Sequence, residues 1–263
     1  MTLPIERFVE LSSVEETKRL GERIFITKFQ SPRIAAKVSA GQFVMLSFGN
    51  MLDPFLPRAF SVCDVVGESL SLFYVAVGKG TSLLSELEIG DSVMLNGPLG
   101  RGFPEATSGE TVWIIVGGSG MAIIPIVTKS LNRSDTKYKV FAGARNARQL
   151  VHFDLVSSVD ATDDGSTGYH GTVVDLVKSL APKEIPNKIF ACGPTPMLAN
   201  VQKDFGSMVP TYLSVEAPMA CGMGFCQGCP VKKKGSSECY LACKDGPVFR
   251  SDEIDFGRSS HSK

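Results

Sequence analysis

The chain has no surplus charge of either sign: its 263 residues set 27 lysines and arginines against 27 aspartates and glutamates. Such a balance offers no bulk attraction to nucleic acid or to an anionic membrane, so neither is expected as a partner. A clean membrane-spanning run is missing too. The longest uncharged stretch, residues 111–128, reaches spanning length but contains Gly117, Gly118, Gly120 and Pro125. It reads instead as a buried strand, a glycine turn and a helix start. The opening residues carry Glu6, Arg7, Glu10, Glu15 and Glu16 and no apolar signal core, so a cytoplasmic protein is expected. No internal repeat is evident. Disorder is excluded from the other direction, because 43% hydrophobic and 21% charged residues are ordinary for a folded protein of one or two domains.

What is present divides into three textures. Residues 1–107 read as short strands between turn signals, at 22–28, 42–48, 59–63, 69–77 and 92–95. The fourth alternates Leu70, Leu72 and Tyr74 as a half-buried strand does. That spacing predicts an antiparallel barrel or sandwich. Residues 108–210 switch to strand, turn and helix: apolar runs at 112–116, 138–142, 156–161 and 188–191 alternate with helical spacing at 121–131, 146–153, 173–180 and 196–205. A further run lies at 212–215. This predicts a parallel sheet with helices on its faces. Residues 211–263 form a small cysteine-rich segment, too loop-like to hold together on apolar burial alone, which a bound metal would stabilise. Its serine-rich tail, residues 257–263, is expected to be disordered.

Five of the seven cysteines fall between residues 221 and 243, an odd and crowded set that argues for metal ligation over disulfides. Cys221, Cys226 and Cys229 stand at x4 and x2 spacing with a distant fourth, the plant-type pattern for a [2Fe–2S] cluster. Gly222, Gly224 and Gly228 permit the tight curvature that turns backbone N–H groups toward the sulfides. Zinc on four thiolates is the alternative, although zinc ribbons pair two Cys-x2-Cys knuckles and only one is present. Cys243, before the turn Lys244-Asp245-Gly246-Pro247, is favoured as fourth ligand, with Cys239 competing.

Four other segments carry chemistry in combination. In Pro57-Arg58-Ala59-Phe60-Ser61, an arginine suited to a pyrophosphate precedes a serine able to reach a flavin edge. Gly78-Lys79-Gly80-Thr81-Ser82 opens a helical turn, an arrangement that makes an anion site as well as a plain β-turn. Gly117, Gly118, Ser119 and Gly120 follow a strand where a dinucleotide phosphate would sit, though Ile123 replaces the third glycine of the full fingerprint and no acidic residue follows at the expected distance. Cys192-Gly193-Pro194 ends a strand at the ligand crevice, where a buried structural cysteine is the plainer alternative.

In this order the pieces resemble the ferredoxin-reductase superfamily: its Arg-x-(Tyr/Phe)-Ser flavin motif, its flavin-phosphate motif, its nicotinamide loop and its Cys-Gly-Pro. With the C-terminal cysteines and Cys243-Lys-Asp-Gly-Pro-Val-Phe249, the chain resembles, over nearly its whole length, the electron-transfer subunits of dihydroorotate dehydrogenase B. The run Thr162-Asp163-Asp164-Gly165-Ser166, continuing through Gly168 and Gly171, is similar to that family as well. Ala59 departs from the usual proline.

The resemblance implies an FAD-binding β-barrel (1–107), a nicotinamide-binding α/β domain (108–210) and a small [2Fe–2S] domain (211–263). It implies FAD contacts from Arg58, Ala59, Phe60, Ser61, Phe73, Tyr74, Val75, Gly80 and Thr81, and a cluster on Cys221, Cys226, Cys229 and Cys243. Ser61 would hydrogen-bond near the flavin N5 and Cys192 would pack by the nicotinamide, both as positioning groups. The implied partner is a separate FMN-bearing dihydroorotate dehydrogenase catalytic subunit, two of each chain, and electrons would pass from it through the cluster and FAD to NAD. Arg145 and Arg148 lie where a 2′-phosphate would, which leaves NADP open. Two other functions compete: the small subunit of an NADH-dependent ferredoxin:NADP oxidoreductase or a sulfide-dehydrogenase-like complex, and a non-enzymatic redox sensor or zinc-stabilised binding module.

Overall fold

The computed structural model describes residues 6–49, 53–153, 156–181 and 183–256. Six strands, β1 (Phe8–Arg19), β2 (Ile24–Gln30), β3 (Phe43–Ser47), β4 (Arg58–Val66), β5 (Ser69–Val75) and β6 (Ser92–Leu99), close into an antiparallel barrel in the order β1-β2-β5-β4-β3-β6. Closure leaves no unpaired edge. Inward-facing Val44, Leu46, Val62, Leu70, Leu72 and Leu95 are fully buried and fill it. β1 lies outside the strands expected from sequence. Its apolar residues fall on both faces, with Val9 and Leu11 exposed while Val14 is buried next to a buried Ser12, so no clean alternation marks it.

A seven-stranded sheet follows. It comprises β7 (Thr111–Gly117), β8 (Lys137–Ala144), β9 (Ser158–Thr162), β10 (Tyr169–His170), β11 (Lys188–Cys192), β12 (Thr211–Ser214) and β15 (Val248–Arg250), in the order β10-β9-β8-β7-β11-β12-β15. All pairs are parallel except β12–β15. Val112, Ile114 and Val116 on one face share a core with the barrel, while Trp113 and Ile115 on the other pack with α4 (Val173–Leu180) and α5 (Thr195–Phe205). Strand order reverses between β7 and β11, which opens a crevice at their carboxyl ends.

The helix expected at 146–153 is not there. Asn146 caps a single 3-10 turn, Ala147–Gln149, by accepting a hydrogen bond from the Arg148 N–H, and the chain then runs extended. The apolar residues that mimicked a helical stripe are used one at a time: Val151 is buried, and Phe153 meets Phe73 of the barrel edge-on, ring centres 5.8 Å apart. The helix expected at 121–131 starts later, as α3 (Ile124–Arg133), after a 3-10 turn at Gly118–Ile123 and with Pro125 in its first turn.

The cysteine-rich segment is more firmly anchored than its composition implies. β13 (Pro230–Lys232) pairs with β14 (Cys239–Leu241), a short helix (Ala242–Asp245) follows, and β15 joins the sheet beside β12. Ala242, Cys243, Phe249 and Ile254 are all buried. The tail at 257–263 lies outside the described residues.

Candidate functional site

The site is assembled on the outer face of β4 and β5, where the barrel meets the sheet. Along β4, Phe60 and Val62 point into the barrel, while Ala59 is exposed and Ser61 half-buried on the other side. Along β5, Phe73 and Val75 line a cavity with residues of the second unit, whereas Tyr74 points inward. Tyr74 stacks on Phe25, meets Phe60 edge-on and bonds Thr27 at 3.0 Å, and burial pushes its phenol up to about 12. Phe60 and Tyr74 therefore stiffen the wall from behind and leave only their backbone to a ligand in front.

An anion cradle sits at one end of this wall. The helix α2 (Lys79–Glu86) begins after Gly78, and Thr81 Oγ1 accepts hydrogen bonds from the N–H groups of Val77 (3.0 Å) and Gly78 (3.1 Å). The Arg58 guanidinium lies across the first turn. A Cβ at Gly80 would stand 2.6 Å from Arg58 Nε, so the glycine makes room for the cation. A guanidinium beside free N–H groups at a helix N-terminus suits a pyrophosphate.

The crevice of the sheet supplies the opposite side. A Cβ at Gly120 would fall 2.1 Å from the Cys192 carbonyl oxygen, so the glycine turn rests directly on the end of β11. Gly117 and Gly193 are each roofed by Met197. Cys192 is buried, and burial first, then the charge of Glu216, push its thiol up to about 12 against an opposing hydrogen bond from Ser214. It stays a neutral thiol at physiological pH, which suits packing and not nucleophilic attack. Ser119 donates a 3.0 Å hydrogen bond to Glu216, tying the glycine turn to the start of the cysteine-rich segment. Met197 carried no motif signal of its own; only three-dimensional placement gives it a role. A cavity of about 560 Å³ runs from Phe73 and Val75 past Gly118 and Ser119 to Arg145 and Arg148.

Four of the cysteines gather beside the barrel. The Cys221 sulfur accepts from the N–H groups of Cys226 and Met223, both at 3.4 Å. These bonds, the Cys226 one foremost, bring its thiol down to about 6. Gly222 and Gly224 adopt φ of 69° and 87°, the left-handed turns that aim those donors inward. Cys229 and Cys243 place their sulfurs 3.3 Å apart, and the Cys243 N–H donates to the Cys229 sulfur at 3.5 Å. Four thiols with backbone N–H groups turned toward the sulfur of Cys221 are a donor set that would suit an iron–sulfur cluster. Among the described residues, no three His, Cys, Asp or Glu side chains converge on a single ion-sized position. Cys239 is exposed on β14, in register with Lys232.

The cysteine loop and the flavin motif share one barrel face. Met45 of β3 is the cross-strand partner of Ala59, and it lies so close under the loop that a Cβ on Gly222 would stand 2.4 Å from its Cγ.

A barrel joined to a nicotinamide-type sheet defines an oxidoreductase of the ferredoxin-reductase kind. Solved structures agree. One described as an NADH-dependent reduced ferredoxin-NADP oxidoreductase superposes with a TM-score of 0.83 at 27% identity, over 94% of this chain and 90% of that one. A ferredoxin NADP+ reductase from Neisseria gonorrhoeae with FAD and NADP shares the fold, with a TM-score of 0.64 at 18% identity over 76% of this chain and 91% of that one.

Residues 216–255 match the iron–sulfur cluster binding domain of dihydroorotate dehydrogenase B. The electron transfer subunit of dihydroorotate dehydrogenase B (NAD(+)) from Enterococcus faecalis is 32% identical over 95% of this chain and 99% of its own length. Its counterpart from Clostridium acetobutylicum is 37% identical over 83% and 87%. The chain belongs to this family of electron transfer subunits.

Proposed function

We propose that the chain is the electron-carrying half of a two-chain oxidoreductase. It holds a [2Fe–2S] cluster on Cys221, Cys226, Cys229 and Cys243, FAD along Arg58, Ala59, Phe60, Ser61, Phe73, Tyr74, Val75, Gly80 and Thr81, and NAD over Gly117, Gly118, Ser119 and Gly120. Its partner is an FMN-bearing catalytic subunit that oxidises dihydroorotate, with two copies of each chain in the cytoplasm. The observation that carries this reading is Met45, which touches both the Ala59 strand position and the Gly222 turn. When bound, the cluster supplies one-electron transfer and the flavin joins single-electron steps to hydride exchange with nicotinamide.

The protein's own work is placement. Arg58 and the N-terminus of α2 neutralise a pyrophosphate, Ser61 offers a hydroxyl to the flavin edge, and Cys192 presents a neutral sulfur where the nicotinamide packs. The backbone N–H groups around Cys221 favour extra negative charge on the cluster. Among the described residues, no helix is long and apolar enough to cross a membrane.

Anaerobically purified protein is expected to contain FAD, iron and sulfide and to reduce a dye with NADH, yet to leave dihydroorotate unoxidised until the catalytic subunit is added. A colourless, zinc-bearing protein after reconstitution with FAD, iron and sulfide refutes the proposal. A second reading, a subunit of an NADH-dependent ferredoxin:NADP oxidoreductase, is favoured by the 0.83 superposition. Co-purification separates the two: an FMN protein supports the first, a large flavoprotein the second.

A further inference from the structure

A cleft of about 1260 Å³, with none of the glycine-turn residues in its lining, opens between the barrel and α3 and is floored by the connection between the two units. None of Arg58, Ser61, Gly80, Thr81, Ser119 or Cys192 lines it. Its rim is cationic: Arg7, Arg101, Lys129, Arg133 and Lys244 face two carboxylates, Asp64 and Glu105. Asp64 is already paired with Lys129 at 2.6 Å. Among the described residues, the side chains of Arg7, Arg101, Arg133 and Lys244 have no carboxylate partner. Four unpaired cations against one unpaired acid concentrate positive potential in a chain whose overall charge is zero.

The floor adds a second kind of recognition. Phe103 is half-buried and stacks on Phe190, with ring centres 4.6 Å apart and planes 26° apart. It is fixed in place: its N–H donates to the Ala40 carbonyl at 2.8 Å, and a Cβ on Gly41 would meet its ring at 2.7 Å. Gly102 likewise passes so close that a Cβ would stand 2.3 Å from Ala40 O. A rigid aromatic edge inside a concave, cation-rimmed space is the chemistry that takes a planar base with phosphates attached.

We propose that this cleft is a nucleotide-binding site separate from the flavin and nicotinamide sites. Arg101 and Arg133, from the connecting segment and from α3, hold the phosphates, and Phe103 contacts the base. A bound nucleotide touches both units at once, so its occupancy bears on how the barrel and sheet are held together.

The test is calorimetric titration of flavin- and cluster-loaded protein, saturated with NAD+, with ADP and separately with inorganic pyrophosphate at low salt. ADP is expected to bind once per chain. Arg101→Ala/Arg133→Ala should weaken it at least tenfold with an unchanged melting temperature, and Arg145→Ala/Arg148→Ala should leave it intact. Phe103→Leu should weaken ADP and spare pyrophosphate. Absence of ADP binding, or binding lost with Arg145 and Arg148 instead, overturns the site. Pyrophosphate binding as tightly as ADP overturns the nucleotide assignment. Loss of catalytic-subunit binding in the Arg101/Arg133 variant, with no ADP bound by the parent, gives the cleft to an acidic protein surface and overturns it as well.

Discussion

Ser119, in the glycine turn that follows β7, donates a 3.0 Å hydrogen bond to Glu216, the residue that opens the matched iron–sulfur segment. A single contact thus links the glycine turn to the start of the cysteine-rich segment. Glu216 also raises the Cys192 thiol by its charge. Glu216→Ala should free the turn and weaken NADH by about fivefold, the effect of losing roughly 1 kcal/mol from an exposed hydrogen bond. Glu216→Gln, which still accepts from Ser119, should recover most of it. Steady-state dye reduction over a range of NADH concentrations gives the comparison.

Two glycines make separable predictions. Gly80→Ala pushes its new methyl into the Arg58 guanidinium, a flexible group that swings aside. Flavin affinity should fall about tenfold while apoprotein stability changes little, as fluorescence titration with FAD will report. Gly120→Ala instead meets the backbone carbonyl of Cys192 at 2.1 Å, which cannot yield without moving β11. Overpacking of this kind costs about 1–3 kcal/mol, so the melting temperature itself should drop.

Cys243→Ser should abolish or destabilise the cluster, because Cys243 is the buried partner of Cys229. Cys239→Ser should leave the iron content and visible spectrum unchanged, since that thiol projects from the exposed hairpin. The opposite pattern would reassign the fourth ligand.

The alkaline limb of stability has a definite sign. Burial first raises both the Cys192 thiol and the Tyr74 phenol to about 12. In the unfolded chain they titrate near pH 8.5 and 10. Their protonated forms are favoured by folding, so stability is fully present below those unfolded values and declines as pH rises toward 12. Each group steepens the decline by up to about 1.4 kcal/mol per pH unit. Cys192→Ala should flatten the loss between pH 9 and 10.5 in urea titrations, and native Cys192 should resist iodoacetamide at pH 8.

Much of the architecture was legible because its signals were local. Leu70, Leu72 and Tyr74 announced a half-buried strand, and the glycines at 117, 118 and 120 announced a turn between strand and helix. β1 was hidden because its apolar residues are split between faces, Val9 and Leu11 outward and Val14 inward beside a buried Ser12, which blurs the usual cue. The missing helix at 146–153 shows the reverse error: helical spacing arose from residues that pack singly, Phe153 against Phe73 among them. Within the site, motif marks residues that a sequence can single out, whereas those defined only by proximity leave no such mark. Met45 is an ordinary strand methionine until Gly222 is laid upon it, and Glu216 gains its part from Ser119.

The cysteine-bearing excursion leaves the sheet at β12 and comes back to it at β15, the adjacent strand. Its two feet are stitched together by main-chain hydrogen bonds, so it is a closed handle and not a swinging arm. An electron carrier mounted this way keeps a constant separation from whatever rests on the barrel, and its turnover needs no large excursion of a tethered head.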